Sequence, residues 1–195
     1  METITKGITN WLIENDAIDS LDRELYEYAI YSMLITISPL LLVLMIGIGM
    51  GTVEEGVVFI LPFMCIRKFS GGYHAKSAGV CFISSCVILA FCMWLATRLE
   101  YNGWITIITT VSVISLGINS PIDSENKRLD VLEKRQYRKV TILLSMIFYA
   151  WHLICIFQGV YWISNCIAVG ICLTASLQLQ CLFQFHSERM KKTVE

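Results

Sequence analysis

YAIYSMLITISPLLLVLMIGIG, residues 28–49, runs without a single charged side chain. At ~1.5 Å of rise per residue, a helix of that length matches the roughly 30 Å hydrocarbon core of a bilayer, so the stretch reads as a transmembrane span. Residues 56–66 are apolar but about half the length of a span. The second crossing must therefore extend back through residues 53–55, or carry Arg67 and Lys68 to the interface by snorkelling. Residues 79–97 and 104–118 read as the next two spans, and residues 121–139 as a polar loop. Residues 140–157 and 160–185 close the series as a hairpin around Gln158 and Gly159.

Composition agrees with this pattern. With 55% hydrophobic and 16% charged residues and a mean hydropathy of +0.62, the 195-residue chain carries more apolar surface than one soluble core can hide. A net charge of −1, with cations in short clusters and not along a stripe, argues against a nucleic-acid partner. The 8 cysteines form no CxxC pair, which excludes a thioredoxin-type motif or a zinc ribbon. All but Cys81 are expected to serve as small buried apolar groups.

Residues 1–28 lack the cationic start, apolar core and cleavage site of a secretory signal peptide and are expected to stay on the chain. Ile4, Ile8, Trp11, Leu12, Ile18, Leu21 and Leu25 recur at helical spacing, with acidic residues between them. This predicts an amphipathic segment on the membrane surface or docked on the protein's own basic loops. The expected architecture is an all-α polytopic membrane protein with six transmembrane helices. It forms a single integral membrane domain over 1–195, divided into a surface segment 1–28, a membrane region 29–187 and a cytoplasmic tail 188–195. In that arrangement only Arg98 of the 15 Lys and Arg residues falls on the side away from the termini. The positive-inside bias then puts both termini and both basic loops in the cytoplasm, where thiols facing that side stay reduced.

The chemistry concentrates in residues 67–81, RKFSGGYHAKSAGVC. Polar, titratable groups at the edge of hydrocarbon are costly to keep and point to function. His74 and Cys81 suit a base and nucleophile pair. Along one straight helix they would lie about 10 Å apart in rise, so a working pair needs a break between them. Gly71 and Gly72 permit such a break, and Ser77 suits the N-cap of a helix starting at Ala78. Cys81 would then sit in a helical first turn, where the helix dipole, Arg67, Lys68 or a protonated His74 favours the thiolate. Free amides at that helix start, or those of the glycine pair, are oxyanion candidates. The spacing alone also fits a satisfied interfacial histidine near one of several cysteines, and Arg67 and Lys68 also fit a pure topology signal. His74, His152 and His186 lie in separate segments without ligand spacing, so no metal site is expected.

The run Arg67-Lys68-x-Ser70-Gly71-Gly72-Tyr73-His74-Ala75 followed by Cys81 resembles the motif of the accessory gene regulator protein B (AgrB) family. So does Ser120-Pro121-Ile122-Asp123-Ser124-x-Asn126-Lys127, and the likeness extends over nearly the whole chain. Arg128 departs from the proline expected in the second motif. The resemblance implies a membrane cysteine endopeptidase of Gram-positive bacteria, working without a cofactor in pheromone production for quorum sensing. Its partner would be an AgrD-like precursor peptide, and His74 and Cys81 fall on the family's catalytic positions. Arg67, Lys68, Ser70, Gly71, Gly72, Asp123, Asn126 and Lys127 are the candidates for substrate binding or oxyanion stabilisation.

In the implied reaction Cys81 attacks a peptide carbonyl of the precursor and His74 protonates the leaving amine. The acyl-thioester so formed is closed to a thiolactone or lactone by a cysteine or serine of the precursor. Asp123 or Asn126 would orient His74, unless both are simply solvated loop residues. Lys127, Arg128, Lys134, Arg135, Arg138 and Lys139 would dock the acidic part of the precursor or serve only orientation. Gln178, Gln180 and Gln184 would hydrogen-bond between helices or between two copies in a homodimer. A non-catalytic peptide exporter or membrane scaffold is the rival reading.

Overall fold

The computed structural model describes residues 2–71, 78–122 and 130–194, with side chains described for residues 3–34, 36–71, 83–122 and 130–183. The described residues form helices and no strand. Helix α1 (Glu2–Glu14) is followed by a 3-10 turn (Ser20–Asp22), then α2 (Arg23–Met50), α3 (Val53–Ser70) and α4 (Ala78–Arg98). Next come α5 (Gly103–Asn119), α6 (Val131–Phe157) and α7 (Tyr161–Val194). Every stretch expected to cross the membrane is a helix.

Three helical stretches, Ser20–Met50, Val131–Phe157 and Tyr161–Phe183, are long and apolar enough to cross a bilayer. The remaining helices are shorter or more charged. α4 is 21 residues long with Arg98 as its one charged residue, and α5 is 17 residues long. At ~1.5 Å per residue these lengths give about 32 and 26 Å. α3 starts at Val53, one of the two alternatives the short apolar run left open, and carries Glu54 and Glu55 in its first turn and Arg67 and Lys68 in its last.

The polar loop expected over 121–139 is shorter than its composition suggests. Asp130 caps α6: its carboxylate accepts from the amide of Val131, and the Glu133 carboxylate accepts from the amide of Asp130. This reciprocal cap starts the helix at Val131 and places Lys134, Arg135, Arg138 and Lys139 on helix, not loop. At the other terminus α7 continues past residue 187 to Val194.

α7 is the central strut, packed on α3, α4, α5 and α6. Cys166, Val169 and Leu173 join Phe59, Ile60 and Phe63 of α3 and Leu89, Cys92 and Met93 of α4. On another side of α7, Ile167, Ile171 and Ala175 meet Ile66, Leu116 and Phe148. Lipid is as apolar as leucine, so helices in a bilayer associate chiefly through close approach and interhelical hydrogen bonds. Both devices are present. A Cβ on Gly170 would lie 2.6 Å from the carbonyl oxygen of Phe59 and 2.7 Å from Cγ of Pro62, so the α3–α7 contact needs hydrogen there.

Polar pairs tie α5 to α6 and α7. Thr110 Oγ1 lies 2.7 Å from Tyr149 Oη. His152 is fully buried, with Nε2 3.4 Å from Thr106 Oγ1 and Nδ1 3.1 Å from the carbonyl oxygen of Ser164. Ser164 Oγ lies 2.9 Å from the same Nδ1, so both ring nitrogens have hydrogen-bond partners. Of the cysteines with described side chains, Cys92, Cys155 and Cys166 are buried, the others are half-buried, and all are free.

The outer surface is apolar. Leu41, Met45 and Ile48 of α2 and Ile107, Val111 and Ile114 of α5 face outward. On α1 the polar Thr5 and Thr9 are buried while Ile4, Ile8 and Trp11 are exposed. Arg23 Nη2 donates to Asn10 Oδ1 at 2.9 Å, fixing α1 to the start of α2. The expected amphipathic stripe thus points away from the bundle, as it would toward lipid.

Candidate functional site

The two sequence motifs meet at one end of the bundle. α3 ends at Ser70, whose side chain is fully buried, and the next residue, Gly71, has φ 75° and ψ −176°. That combination is essentially restricted to glycine, and it ends the helix. α5 ends at Asn119, and the chain turns through a cis Ser120–Pro121 bond. The amide of Ile122 then donates to the carbonyl oxygen of Ser70 at 3.1 Å. A Cβ on Gly71 would come within 2.5 Å of the Ile122 carbonyl oxygen, so the glycine serves close approach as well as backbone conformation.

A third element holds this junction. Gln178 of α7 is fully buried, and its Nε2 donates to Ser120 Oγ at 2.7 Å. Its Oε1 is buried without a hydrogen-bond partner. The expectation that Gln178 bonds between helices is met, with the second motif as its partner. Spacing gave no indication of that partner, because Ser120 lies 58 residues away in the chain.

The cations of the first motif lean on aromatic rings. Arg67 is half-buried, with its guanidinium carbon 5.6 Å from the Phe63 ring centroid, and the Lys68 ammonium lies 5.8 Å from that of Phe69. Phe69 meets Tyr137 of α6 edge-on at 5.7 Å. Positive charge on the last turn of α3 and the first turns of α6 therefore borders the same end of the bundle.

The described part of α4 runs Ala78–Arg98 and includes Cys81, while Ser77, the expected N-cap, lies outside the described residues. The side chain of Cys81 and the residues Gly72, His74, Asp123, Asn126 and Lys127 lie outside the described residues. Of the expected site, the structure brings together Ser70, Gly71 and Ile122, with Arg67 and Lys68 on the preceding turn. Among the described residues no group of His, Cys, Asp and Glu could hold a metal ion.

A helical chain with several apolar helices and an apolar outer face, whose two sequence motifs are bonded at one end, is a membrane protein. The chain belongs to the accessory gene regulator B family, whose model matches residues 5–183. It is 30% identical over 179 residues to AgrB-like protein 1 of Clostridium perfringens strain 13, covering 85% of this chain and 87% of the relative. AgrB-like protein 2 of the same strain is 24% identical over 148 residues, covering 71% and 69%. An AgrB-like protein of Clostridium acetobutylicum is 22% identical over 156 residues, covering 79% and 75%. No solved structure matches. Family membership supports a role in quorum-sensing peptide processing, in association with an AgrD-like propeptide.

Proposed function

We propose that the chain is a membrane-embedded cysteine endopeptidase that removes the C-terminal segment of an AgrD-like propeptide and promotes closure of its ring. Family membership over residues 5–183 carries this reading. The meeting of the two motif loops at the end where α4 begins supports it. Cys81 thiolate adds to the scissile carbonyl, the C–N bond breaks, and the departing amine takes a proton from the His74 imidazolium. An acyl-thioester remains on Cys81. A thiol or hydroxyl of the propeptide then attacks that carbonyl, releasing Cys81 thiolate and a thiolactone or lactone.

Water competes at the second step, and a site at the edge of hydrocarbon reduces its access. Because an amide is more stable than a thioester, the route runs uphill unless the released segment is removed. In this reading α2 to α7 all cross the cell membrane, with both termini and the motif loops in the cytoplasm. The shorter helices are accommodated by local thinning of the bilayer and snorkelling of the flanking cations.

The test uses the full chain in vesicles with its propeptide. Cys81→Ala and His74→Ala should each abolish cleavage, and a thioester-linked fragment should be trapped on Cys81. Cleavage at the normal rate by either variant would overturn the assignment of Cys81 and His74, and failure of the unaltered chain to cleave would favour a non-catalytic exporter or scaffold.

A further inference from the structure

Helix α6 passes from a charged start to a wholly apolar run. Residues 140–157 hold no Asp, Glu, Lys or Arg, while the residues just before them include Lys134, Arg135, Arg138 and Lys139. The helix is one of those long and apolar enough to cross a bilayer. From Lys139 to Phe157 the rise is about 27 Å, close to the roughly 30 Å of a hydrocarbon core. With Phe157 at one edge of the hydrocarbon, Lys139 stands at the other, at the depth of lipid phosphate.

The faces of the helix decide what these cations meet. Tyr137 turns toward α3 and meets the Phe69 ring, beside the junction of the two motifs. Arg135 and Lys139 each lie two residues from Tyr137, about 160° around the helix, so both point away from that junction. Both are exposed, as is Arg138. From Lys139 the same face continues at helical spacing into Ile142, Leu143 and Met146, all exposed. The buried residues of α6, Thr141, Ser145, Phe148 and His152 among them, lie on the other side.

The cations on this face are also unbalanced. No ion pair joins Arg135, Arg138 or Lys139 to a carboxylate among the described residues. The nearby acids, Asp130 and Glu133, are engaged in the cap of α6, and Glu133 lies about 160° around the helix from Arg135. An acidic peptide seated at the motif junction would be on the wrong side of α6 for Arg135 and Lys139. A lipid beside the helix is on the right side. The two side chains are one turn apart, about 6 Å along the axis, so a guanidinium and an ammonium can share one phosphate. We propose that Arg135 and Lys139, with Arg138 at their edge, hold the phosphate of an anionic phospholipid whose acyl chains lie along Ile142, Leu143 and Met146. The site does not depend on the processing reaction.

The full chain in phosphatidylcholine nanodiscs, doped with a phosphatidylglycerol carrying a photoactivatable group in its acyl chain, tests it. Mass spectrometry reads the adducts on residues 140–157. Unlabelled phosphatidylglycerol should compete for that labelling, and the same amount of added phosphatidylcholine should not. Arg135→Gln combined with Lys139→Gln should lower the labelling at least about fivefold, whereas the charge-keeping pair Arg135→Lys and Lys139→Arg should retain it. A phosphatidylcholine probe with the same reactive chain should label all three proteins equally, which reports that the exposed substitutions leave the lipid-facing surface intact. Labelling indifferent to the headgroup, or to the loss of both cations, would overturn the proposal and leave these residues as an orientation signal. Unchanged lipid labelling with a raised propeptide KM in the double Gln variant would also overturn it, and would assign the cations to the acidic part of the propeptide.

Discussion

The amide nitrogen of Ile122 lies 3.1 Å from the carbonyl oxygen of Ser70, joining the end of α5 to the end of α3 through the main chain. Both residues belong to motifs that are far apart in sequence, and the bond depends on neither side chain. Their joint geometry therefore rests on the residues that let the two backbones approach.

Gly71 is the first of these. Gly71→Ala brings a Cβ within 2.5 Å of the Ile122 carbonyl oxygen and forces alanine into a conformation it rarely adopts. The expected cost is about 1–3 kcal/mol locally. Propeptide cleavage in vesicles should fall at least about tenfold while membrane insertion is retained. A fully active Gly71→Ala protein would contradict a role for this junction.

Gln178→Leu removes the donor to Ser120 Oγ together with the unpartnered Oε1. The lost bond and the lost orphan offset each other, so stability should change by no more than about 1 kcal/mol. Cleavage should nevertheless fall several-fold, because Ser120 is released. Thermal unfolding in detergent and the cleavage rate, measured on one preparation, separate the two effects.

Asp130→Ala removes the reciprocal cap on α6. About 1 kcal/mol is at stake, and amide exchange in the first turn after Val131 should accelerate. If the cations of this segment dock the acidic part of the propeptide, KM should rise with kcat little changed. Neutralising Lys134, Arg135, Arg138 and Lys139 together should act the same way and weaken the salt dependence of KM.

Gly170→Ala sets a methyl group against Phe59 and Pro62 at the α3–α7 crossing. Overpacking of this kind costs about 1–3 kcal/mol, and a lower unfolding temperature in detergent should report it.

His152→Phe conserves volume but breaks the chain from Tyr101 through Thr106 to Ser164. A loss of about 1–3 kcal/mol is expected. Because His152 lies toward the end away from the motif loops, cleavage by the folded protein should be unchanged.

The helices were legible because charge-free runs of membrane length admit few other readings, and even the start of α3 at Val53 was one of two alternatives left by an apolar stretch too short to stand alone. The break after Ser70 was likewise written in Gly71. The start of α6 was missed because the polar composition of residues 131–139 outweighed a D-x-x-E cap that was present to be read. The Ile122–Ser70 bond leaves no trace in side-chain periodicity, since its donor and acceptor are main-chain atoms.

One rod, α7, supplies both Asn165, whose amide donates to the carbonyl oxygen of Leu99, and Gln178 at the junction of the motifs. At ~1.5 Å per residue these anchors are separated by about 20 Å of continuous helix. A stiff lever held near both ends transmits any tilt, so a displacement at the Leu99 end also loads the clasp that Gln178 makes with Ser120.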